Sequence, residues 1–436
     1  KVRFMVQPRN IRKYSPNDHY CNALYRYARE MAVRFSDYSA FVSTDDNCKI
    51  KVGDPNFPVA AVARGKRVLV AKDQLFQVAD HDISSLTLTP TVLLSHDIPG
   101  DVDKSWYRGI PYVYLKITAT DPSSALRNAA EIENVLTQRF NGKENIPPII
   151  IIYTDGGSEH RSNFLSVKIA LITLQKSLNV DMLLALRTAP GHSYRNPVEK
   201  VNCILNIGLY GIGVMRQPIT DDPFFEKKLL ATGNTEDVRN LLKEKSSYTN
   251  HLKKSLEPCM SLIKESFSYL RLKENNILTR ENVTNTEIES LLKNSNLDAH
   301  LTGKETMADL KNCPKLDAYL SHCTKERHYF FSVKKCGDND CTSCKPIRLP
   351  PDVFQQLHNL PDPMPDPSNE GHYLKFPDAY GKQTDESHMP LKALSTRKGH
   401  GIPFNPVLQH IKNTGITIKC YQCKNHDSFM PKQKHH

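Results

Sequence analysis

Acidic side chains that follow apolar segments are the residues of this sequence best suited to chemistry. Asp155 follows the apolar run 149–153 after a single residue, Thr154, and is itself followed by Gly156 and Gly157. This order predicts a carboxylate at the carboxyl end of a central strand, where open α/β sheets present their sites, and the glycines let a bulky substrate backbone approach. The alternative is a turn without function, because Asp and Gly also favour turns for local reasons.

A second acid, Glu199, lies in the segment Asn196-Pro197-Val198-Glu199, 44 residues after Asp155 (199 − 155). The segment is typical of a helix start, with Asn196 as N-cap, Pro197 in the first turn and Glu199 as the partner of a capping box. A glutamate in the first turn of a helix beside a sheet edge can also bind a metal ion shared with Asp155. Both interpretations stay open at the sequence level.

A third acid is expected from the first strand, because two Mg²⁺ ions need carboxylates on both sides of the attacking and leaving oxygens. Asp45 and Asp46 end the predicted strand 39–45. Adjacent strand residues point to opposite faces, so at most one of the two is a direct ligand. Asp45 continues the face of Phe41 and Ser43 and is preferred, with Asp46 as the alternative.

The elements that position these acids follow from hydrophobic periodicity. The predicted strands are residues 39–45, 49–52 with 59–63, 112–119, 149–153 and 182–186. Apolar residues recur at helical spacing in residues 125–140, 164–178 and 198–212. The order β-β-β-α-β-α-β-α predicts a mixed sheet with flanking helices in the ribonuclease-H-like topology. Residues 68–106 are interpreted as a β-rich insertion without a counterpart in a minimal core.

Composition divides the chain into several predicted regions. Residues 219–312 are rich in Lys, Glu, Asn, Ser and Leu, and prolines are frequent from residue 346 onward. The predicted layout is 1–38 as the end of a truncated N-terminal region, 39–218 as the α/β domain, 219–312 as a helical region, 313–350 as a small zinc-binding module, 351–412 as a proline-rich linker or strap, and 413–436 as a partial Cys-x2-Cys tail.

Cysteines crowd the C-terminal part of the chain, which holds most of the 11 in the sequence. Cys336-x4-Cys341-x2-Cys344 has the spacing of a zinc knuckle, and Cys323, or alternatively His328, completes four soft ligands for a structural Zn²⁺. A second half-site is predicted at Cys420 and Cys423. Because the cysteines are few for so long a chain, metal binding in a reducing compartment is favoured over an extracellular disulfide framework.

The overall charge favours polyanionic partners. Lys and Arg number 58 against 47 Asp and Glu, giving a formal charge of +11. No run of 18 apolar residues is present and the mean hydropathy is −0.49, so we expect no membrane span.

Three segments together resemble a known enzyme family. They are STDD at 43–46, TDGG at 154–157 and RTAPGHSYRNPVEK at 187–200. Their order and their predicted positions on strands and a helix are similar to the catalytic core of DDE transposases and integrases, closest in style to the mariner-like enzymes of eukaryotic DNA transposons. The resemblance covers about residues 39–216.

The resemblance implies that Asp45, Asp155 and Glu199 bind two Mg²⁺ or Mn²⁺ ions. It implies cleavage of DNA strands and their transfer to a target, with one ion activating water or a DNA 3′-hydroxyl and the other stabilising the leaving oxygen. A homo-oligomer and a nuclear location are expected for such an enzyme. A catalytically silent, host-adapted DNA or chromatin binder and a nuclease that cuts without joining are the alternatives.

Basic and aromatic residues near these motifs suggest a DNA surface. Arg187, Arg195 and Lys200 flank the third acid, and Lys334, Lys335 and Lys345 surround the cysteines, so all are predicted to contact phosphates. His192 is interpreted as a loop residue rather than a base. Trp106, the single tryptophan, is expected to pack in the core rather than to stack on a flipped base.

Overall fold

The computed structural model describes residues 15, 17–62, 85–157, 159–338, 340, 341, 343–369 and 372–382. The predicted half-site at Cys420 and Cys423 lies outside the described residues. The strands are β1 (Ser39–Asp46), β2 (Ile50–Val52), β3 (Val59–Ala60), β4 (Leu86–His96), β5 (Gly109–Ile117), β6 (Ile149–Thr154), β7 (Met182–Arg187), β8 (Gly213–Val214), β9 (Arg271–Leu272), β10 (Asn275–Asn276), β11 (Leu278–Arg280), β12 (Thr324–Glu326) and β13 (Phe330–Lys334).

Helices cover both faces of the sheet that these strands build. They are α1 (Asp18–Arg34), α2 (Ala125–Arg139), α3 (Leu165–Leu178), α4 (Val198–Gly208), α5 (Pro223–Leu230), α6 (Thr235–Glu244), α7 (Ser246–Ser268), α8 (Asn285–Asn294), α9 (Pro314–Cys323), α10 (Pro351–Gln356) and α11 (Phe376–Ala379). No helix in the described part of the chain is both long and apolar enough to cross a membrane.

One mixed sheet of nine strands organises the fold. Its order is β11-β5-β4-β1-β6-β7-β13-β12, with β2 also paired to β4. Strands β5, β4 and β1 are antiparallel neighbours, whereas β1, β6 and β7 run parallel. Thr44 lies opposite Thr154, and Thr154 lies opposite Arg187. The residues that follow these three positions therefore lie at the same end of the sheet, the carboxyl end of the parallel strands β1, β6 and β7.

The second core strand is not the one predicted from the sequence. In the described part of the predicted second strand, residues 49–62 contribute only the short β2 and β3, and β4 is the long antiparallel partner of β1 and β5. The interpretation of residues 68–106 as an insertion is therefore wrong, since this stretch supplies a central strand. The strand was missed because a proline such as Pro90 is rare inside a central strand. On one side of β4, β1 pairs with residues 91–95 and β2 with residues 86–88, so Pro90, which lacks an N–H, lies in the gap between β1 and β2.

Alternate residues of the central strands enter different cores. Ile150 and Ile152 face α2 and α3, whereas Ile149, Ile151 and Tyr153 face α1. All five are at most 2% exposed. This arrangement confirms the expectation that a continuously apolar run marks a strand covered on both faces.

Helix α1 belongs to the sheet domain rather than to a separate N-terminal region. Tyr25 of α1 stacks on Tyr153 of β6 with ring centroids 4.0 Å apart. Over α1 lies a strap, residues 349–369 and 372–380, whose buried Leu357, Leu360 and Phe376 join the same core. The described part of the proline-rich stretch thus lies over other surfaces, one of the two forms expected of it, and residues 383–412 lie outside the described residues.

Both edges of the sheet are completed by regions that were predicted to be separate units. Strand β11, from the helical region 219–312, runs parallel to β5, and β13, from the cysteine-rich region, runs antiparallel to β7. Helices α5, α6 and α7 pack with α4 against the faces of β4 and β5. The predicted boundaries at residues 218 and 313 therefore do not separate independent layers.

Candidate functional site

The start of α4 is attached directly to the end of β1. Asn196 donates from Nδ2 to the carbonyl oxygen of Thr44 at 3.0 Å, and its Oδ1 accepts from the backbone N–H of Val198 at 3.3 Å. The second bond satisfies one of the N–H groups that a helix start leaves open. Together they place the first turn of α4, which includes Glu199, beside the end of β1.

Asp45 is the buried member of the three predicted acids, with 7% of its surface exposed. Burial, followed by the nearby charges of Asp155, Glu199 and Asp46, raises its pKa to about 9. Asp45 therefore lies within electrostatic reach of both other acids. The structure brings together the residues that the sequence placed on β1, β6 and α4.

The three acids are spread over more space than a single small ion needs. Among the described residues, the cluster whose potential ligand atoms all lie within 4.8 Å of one another is formed by His322, Cys336, Cys341 and Cys344, not by the acids. A pair of cations about 4 Å apart is wider than one cation, so ligands on opposite sides of the pair need not meet this limit.

Asp155 forms the turn that its sequence suggested. Its Oδ1 accepts from the N–H of Gly157 at 2.9 Å, and Gly156 has a φ of +84°, which favours glycine. A Cβ at Gly156 would lie 3.2 Å from Cδ of Arg187, so the turn packs closely against that side chain. A carboxylate accepts several hydrogen bonds, so this turn leaves Asp155 able to bind a cation as well.

Glu199 does not serve as the partner of a capping box. The N-cap of α4 is Pro197, with no capping bond from a side chain, and the N–H of Glu199 bonds to the backbone oxygen of Asn196 at 3.0 Å. The capping interpretation of this side chain is therefore wrong. Glu199 is half-buried, and its charge acts on Asp45.

Asp46 points to the opposite face of the sheet, as strand alternation requires. Its Oδ1 lies 3.6 Å from Nζ of Lys116, and Thr91 and Ser123 donate hydrogen bonds to its two oxygens. Burial raises the pKa of Asp46, but Lys116 and the two hydroxyls together outweigh burial and lower it. Asp46 thus belongs to a buried network that also includes Glu131, 3.5 Å from Lys116.

Asn202 is a residue of this site that the sequence interpretation missed. It lies one helical turn after Glu199, is 3% exposed, and donates from Nδ2 to Oδ2 of Asp45 at 3.3 Å. Its Oδ1 is buried and has no hydrogen-bond partner among the described residues. The i, i+3 spacing from Glu199 was the available signal, since such residues share a helix face.

The predicted phosphate contacts around the third acid differ in environment. Lys200 is exposed, with Nζ 6.0 Å from the ring centroid of Tyr107. Arg187 is half-buried and lies over the ring of Tyr329 at 4.7 Å. Arg195 is 8% exposed and pairs with Asp18 at 2.8 Å. The buried position of Arg195 does not support the expectation that it contacts phosphate.

The two other residues singled out in the sequence are internal. Nδ1 of His192 lies 2.7 Å from Oδ1 of Asp18 of α1, and His192 is 6% exposed. Trp106 is 3% exposed, packs edge-on against Phe41 and donates to the oxygen of Val102 at 3.1 Å. The expectation that Trp106 packs in the core is confirmed.

A cysteine and histidine cluster lies at the far end of β13. Sγ of Cys336 is 3.8 Å from Sγ of Cys344, and Sγ of Cys341 is 3.2 Å from Nε2 of His322. Cys323 lies 3.3 Å from Cys344. Soft thiolates together with imidazole are the donor set that Zn²⁺ prefers. The knuckle spacing therefore predicted the cluster, whereas His322 was missed.

His328, the predicted alternative ligand, is not part of this cluster. Its ring meets Tyr329 edge-on at 4.7 Å, and its backbone oxygen accepts from Arg187 at 2.9 Å. It follows β12 and lies at the opposite end of β13 from Cys336, so the prediction of His328 as a ligand is wrong.

The backbone around the cysteines favours thiolates. The N–H of Cys344 donates to Sγ of Cys341 at 3.4 Å, and the N–H of Asp338 donates to Sγ of Cys336 at 3.5 Å. The pKa of Cys341 is lowered to about 7, mainly by the backbone hydrogen bond from Cys344. A thiol with such a pKa is ready to bind a metal ion near neutral pH.

The lysines around the cluster are only in part available to DNA. Lys335 is 2% exposed and its Nζ bonds to Asp181 at 2.8 Å and to the oxygen of Pro346 at 2.7 Å. Lys334 is half-buried, with Nζ 4.2 Å from the ring centroid of Phe354. Lys345 is exposed. Lys335 thus joins the ends of β13 and β7 internally, and the expectation of a phosphate contact there is not supported.

Comparisons with known proteins place this chain far from characterised ones. No family model matches it, and no curated protein matches it. Among solved structures, it is similar to the Mos1 mariner paired-end complex with Mn, at 13% identity and a TM-score of 0.27 over 58% of this chain and 68% of the other. The pre-cleavage Mos1 transpososome gives 11% identity and 0.28 over 59% and 68%. Similarity at this level carries no information on activity.

Proposed function

We propose that the chain catalyses the metal-dependent cleavage of DNA strands and their transfer to a target, through a ribonuclease-H-like core of the DDE type. The observation that carries the proposal is that Asp45 is buried and lies within electrostatic reach of Asp155 and Glu199, and that burial and these charges raise its pKa to about 9. Buried carboxyl groups whose pKa is raised in this way are typical of functional sites.

The site has the properties of a divalent cation site. The charges that raise the pKa of Asp45 come from three carboxylates, those of Asp155, Glu199 and Asp46. Mg²⁺ and Mn²⁺ prefer carboxylate oxygens, and a cation would relieve the repulsion that raises the pKa of Asp45. Bound ions would neutralise charge on the phosphate and favour deprotonation of the attacking hydroxyl.

The residues of this chain would hold the reacting groups in place. Asp45 would lose its proton on cation binding, and Asn202 would fix one of its oxygens. Hydrolysis forms a phosphorus–oxygen bond from water and breaks the bond to the 3′-oxygen, which leaves as a hydroxyl after gaining a proton. In transfer, that hydroxyl loses its proton and its oxygen forms a bond to the phosphorus of a target phosphodiester. The bond from this phosphorus to the target 3′-oxygen breaks, and that oxygen leaves as a hydroxyl after gaining a proton.

DNA is the proposed partner because the reaction needs a phosphodiester and the chain is basic. Lys200, exposed one residue after Glu199, is the best placed of the predicted phosphate contacts. Joining two element ends to one target requires two active sites, so we propose a homo-oligomer acting in the nucleus. We also propose Zn²⁺, in a structural role, for the cysteine and histidine cluster.

The test is an assay with labelled double-stranded DNA and purified protein in Mg²⁺ or Mn²⁺. Because the acids hold the cations, D155N and E199Q should lower strand cleavage by at least about 100-fold. Binding of the same DNA, measured by fluorescence anisotropy, should change less than about threefold. K293A, a substitution of an exposed lysine on α8, is the matched control for cleavage.

Each outcome distinguishes among the functions considered. Cleavage followed by joining supports the proposal, whereas cleavage without joining indicates a nuclease. DNA binding without cleavage at any Mg²⁺ or Mn²⁺ concentration would indicate a silent DNA binder. Cleavage that survives both D155N and E199Q would overturn the assignment of the site.

A further inference from the structure

Strands β12 and β13 form a hairpin whose two ends contact different parts of the molecule. Thr324 pairs with Val333 and Glu326 with Phe331, so the turn of the hairpin is residues 327–329. The other end, here called the base, is entered from α9 through His322 and Cys323 and is left through Cys336. The cysteine and histidine cluster lies at the base, and the residues that contact Arg187 lie at the turn.

The base contains more zinc donors than one ion needs. His322, Cys336, Cys341 and Cys344 have ligand atoms that all lie within 4.8 Å of one another. Cys323, the neighbour of His322, is 5% exposed and packs in the core between the sheet, α2 and α3. His322 is exposed, so it reaches the cluster without leaving a packed position.

The turn of the hairpin contacts the loop that carries Asp155. Arg187 donates from Nη2 to the oxygen of His328 at 2.9 Å, and its backbone N–H donates to the oxygen of Tyr329 at 3.1 Å. The guanidinium lies 4.7 Å from the ring centroid of Tyr329. The same side chain packs on Gly156, the residue after Asp155. A continuous set of contacts therefore runs from the hairpin turn to the candidate catalytic loop.

The two strands of the hairpin have different contacts with the rest of the fold. Strand β13 pairs with β7 along five positions, and Lys335 joins its end to Asp181. Strand β12 has three residues, and its recorded strand pairing is to β13 alone. Beyond that pairing, the ion pair between Glu326 and Lys168 at 2.6 Å fixes it to α3. Helix α9, which leads into β12, is packed in its own right, because Tyr319 is 2% exposed and donates to Oε1 of Gln175 at 2.7 Å. The base therefore adds a connection between the end of α9 and the end of β13.

We infer that one Zn²⁺, bound by His322, Cys336, Cys341 and Cys344, clamps the base of this hairpin and thereby holds its turn against Arg187 and the Asp155 loop. Four donors from two segments would be joined by the ion, as in structural zinc sites. Cys323 packs beside the ion without binding it. The zinc site would therefore act as a positioning element for the proposed DNA cleavage centre, and this second step rests on the proposed function.

Metal content separates the two possible fourth ligands. Purified full-length chain should contain one zinc per molecule by mass spectrometry, and C341S and H322A should each lower that to below about 0.2. C323S, the matched control, should keep its zinc, and H322C should restore binding because a fourth thiolate replaces the imidazole. In Co²⁺-loaded protein, the thiolate-to-metal absorption should match three sulfur ligands. Loss of zinc in C323S with retention in H322A would overturn the ligand set.

Hydrogen exchange tests the clamp itself. Chelation of zinc, or H322A, should raise amide exchange in residues 322–330 and 187–189 by at least about tenfold, while β6 keeps its protection. Equal exchange with and without zinc would overturn the clamp. These readouts need no DNA, so they are independent of the proposed function. If zinc binding and protection follow expectation but the loaded protein never cleaves DNA, the proposed function fails and the clamp stands.

Discussion

Asp45 and Asp46 are neighbours in the chain but have opposite electrostatic environments. Asp45 faces two other carboxylates and its pKa is raised to about 9, chiefly by burial, whereas Asp46 faces Lys116 and its pKa is lowered in spite of burial. A strand makes this possible because successive side chains point to opposite faces. Asp45 is therefore suited to bind a metal cation, whereas Asp46 is already paired with the ammonium group of Lys116.

Substitution of these neighbours should change stability in opposite directions. In metal-free buffer at pH 7, D45N should stabilise the fold by on the order of 2 kcal/mol, because the folded pKa lies above the unfolded one and ionisation above pH ~4 favours unfolding. D46N should destabilise by roughly 2 kcal/mol, since Lys116 loses a buried partner. Urea denaturation measures both.

Magnesium provides the control for this pair. Saturating Mg²⁺ should raise the stability of the unsubstituted protein and of D46N, but not of D45N, because only the last lacks a ligand. Destabilisation of the metal-free protein by D45N would contradict the assignment of Asp45 to the acidic site.

For individual residues, the sequence predicted the position of a side chain correctly where that position depends only on residues nearby in the chain. The alternation of β1 identified Asp45 correctly as the acid on the face of Phe41 and Ser43. Asn202 and His322 were missed because their importance depends on which side chains approach from elsewhere: Asp45 for Asn202, and Cys341 for His322. Arg195 and Lys335 were misjudged because they are buried against partners, Asp18 and Asp181, that are 177 and 154 residues away.

At the scale of elements, β1 and β4 are joined by a buried histidine. Nε2 of His96 lies 2.8 Å from Oγ of Ser43, and its Nδ1 lies 2.8 Å from the oxygen of Trp106. A backbone oxygen only accepts, so Nδ1 carries the proton and Nε2 accepts from Ser43 when the ring is neutral. Burial lowers the pKa of His96 to about 4, and the bond to Trp106 opposes this only in part.

This histidine makes the join between β1 and β4 sensitive to acid. The folded pKa of about 4 lies below the ordinary value of 6.5, so the stabilising effect is complete above pH 6.5 and is lost as the pH falls toward 4. The loss amounts to at most about 3 kcal/mol. The difference in unfolding free energy between the unsubstituted protein and H96Q should shrink over this range. A difference independent of pH would contradict a neutral His96 in the fold.

Elements with uniform patterns were predicted well, and the misassigned one has a mixed pattern. The runs in β6 and β7 and the stripes of α2, α3 and α4 fall where periodicity placed them. Strand β4 was missed because threonines and Pro90 interrupt it, and its burial depends on β1, β2 and β5 together. Long-range pairing of this kind leaves no local signal.

At the scale of the whole molecule, the two ends of the described chain close over each other. Tyr20 and Tyr27 of α1 donate hydrogen bonds to Asp362 and to the backbone oxygen of Leu374 in the strap. Leu360 and Phe376 of the strap are 1% and 3% exposed. The strap is therefore part of the core that covers one face of the sheet.

Truncation of strap side chains should cost as much as truncation in the main core. We expect L360A and F376A to lower the unfolding free energy by about 2–5 kcal/mol each, because each leaves a cavity over α1. Q355A, on the exposed surface of α10, should change it by less than about 0.5 kcal/mol. A flexible linker would give small changes at all three positions in chemical denaturation.

The order in which the sheet receives its edge strands has a consequence for synthesis of the protein. The central strands β5, β4, β1, β6 and β7 are complete once residue 187 has been made, yet β11 and β13 cover the two outer strands only after residues 280 and 334. Unpaired strand edges invite association with other chains. A nascent chain that ends between residues 187 and 280 therefore has unpaired strand edges on both sides of its sheet. Chaperone capture of ribosome-bound chains should be greatest in this range of lengths.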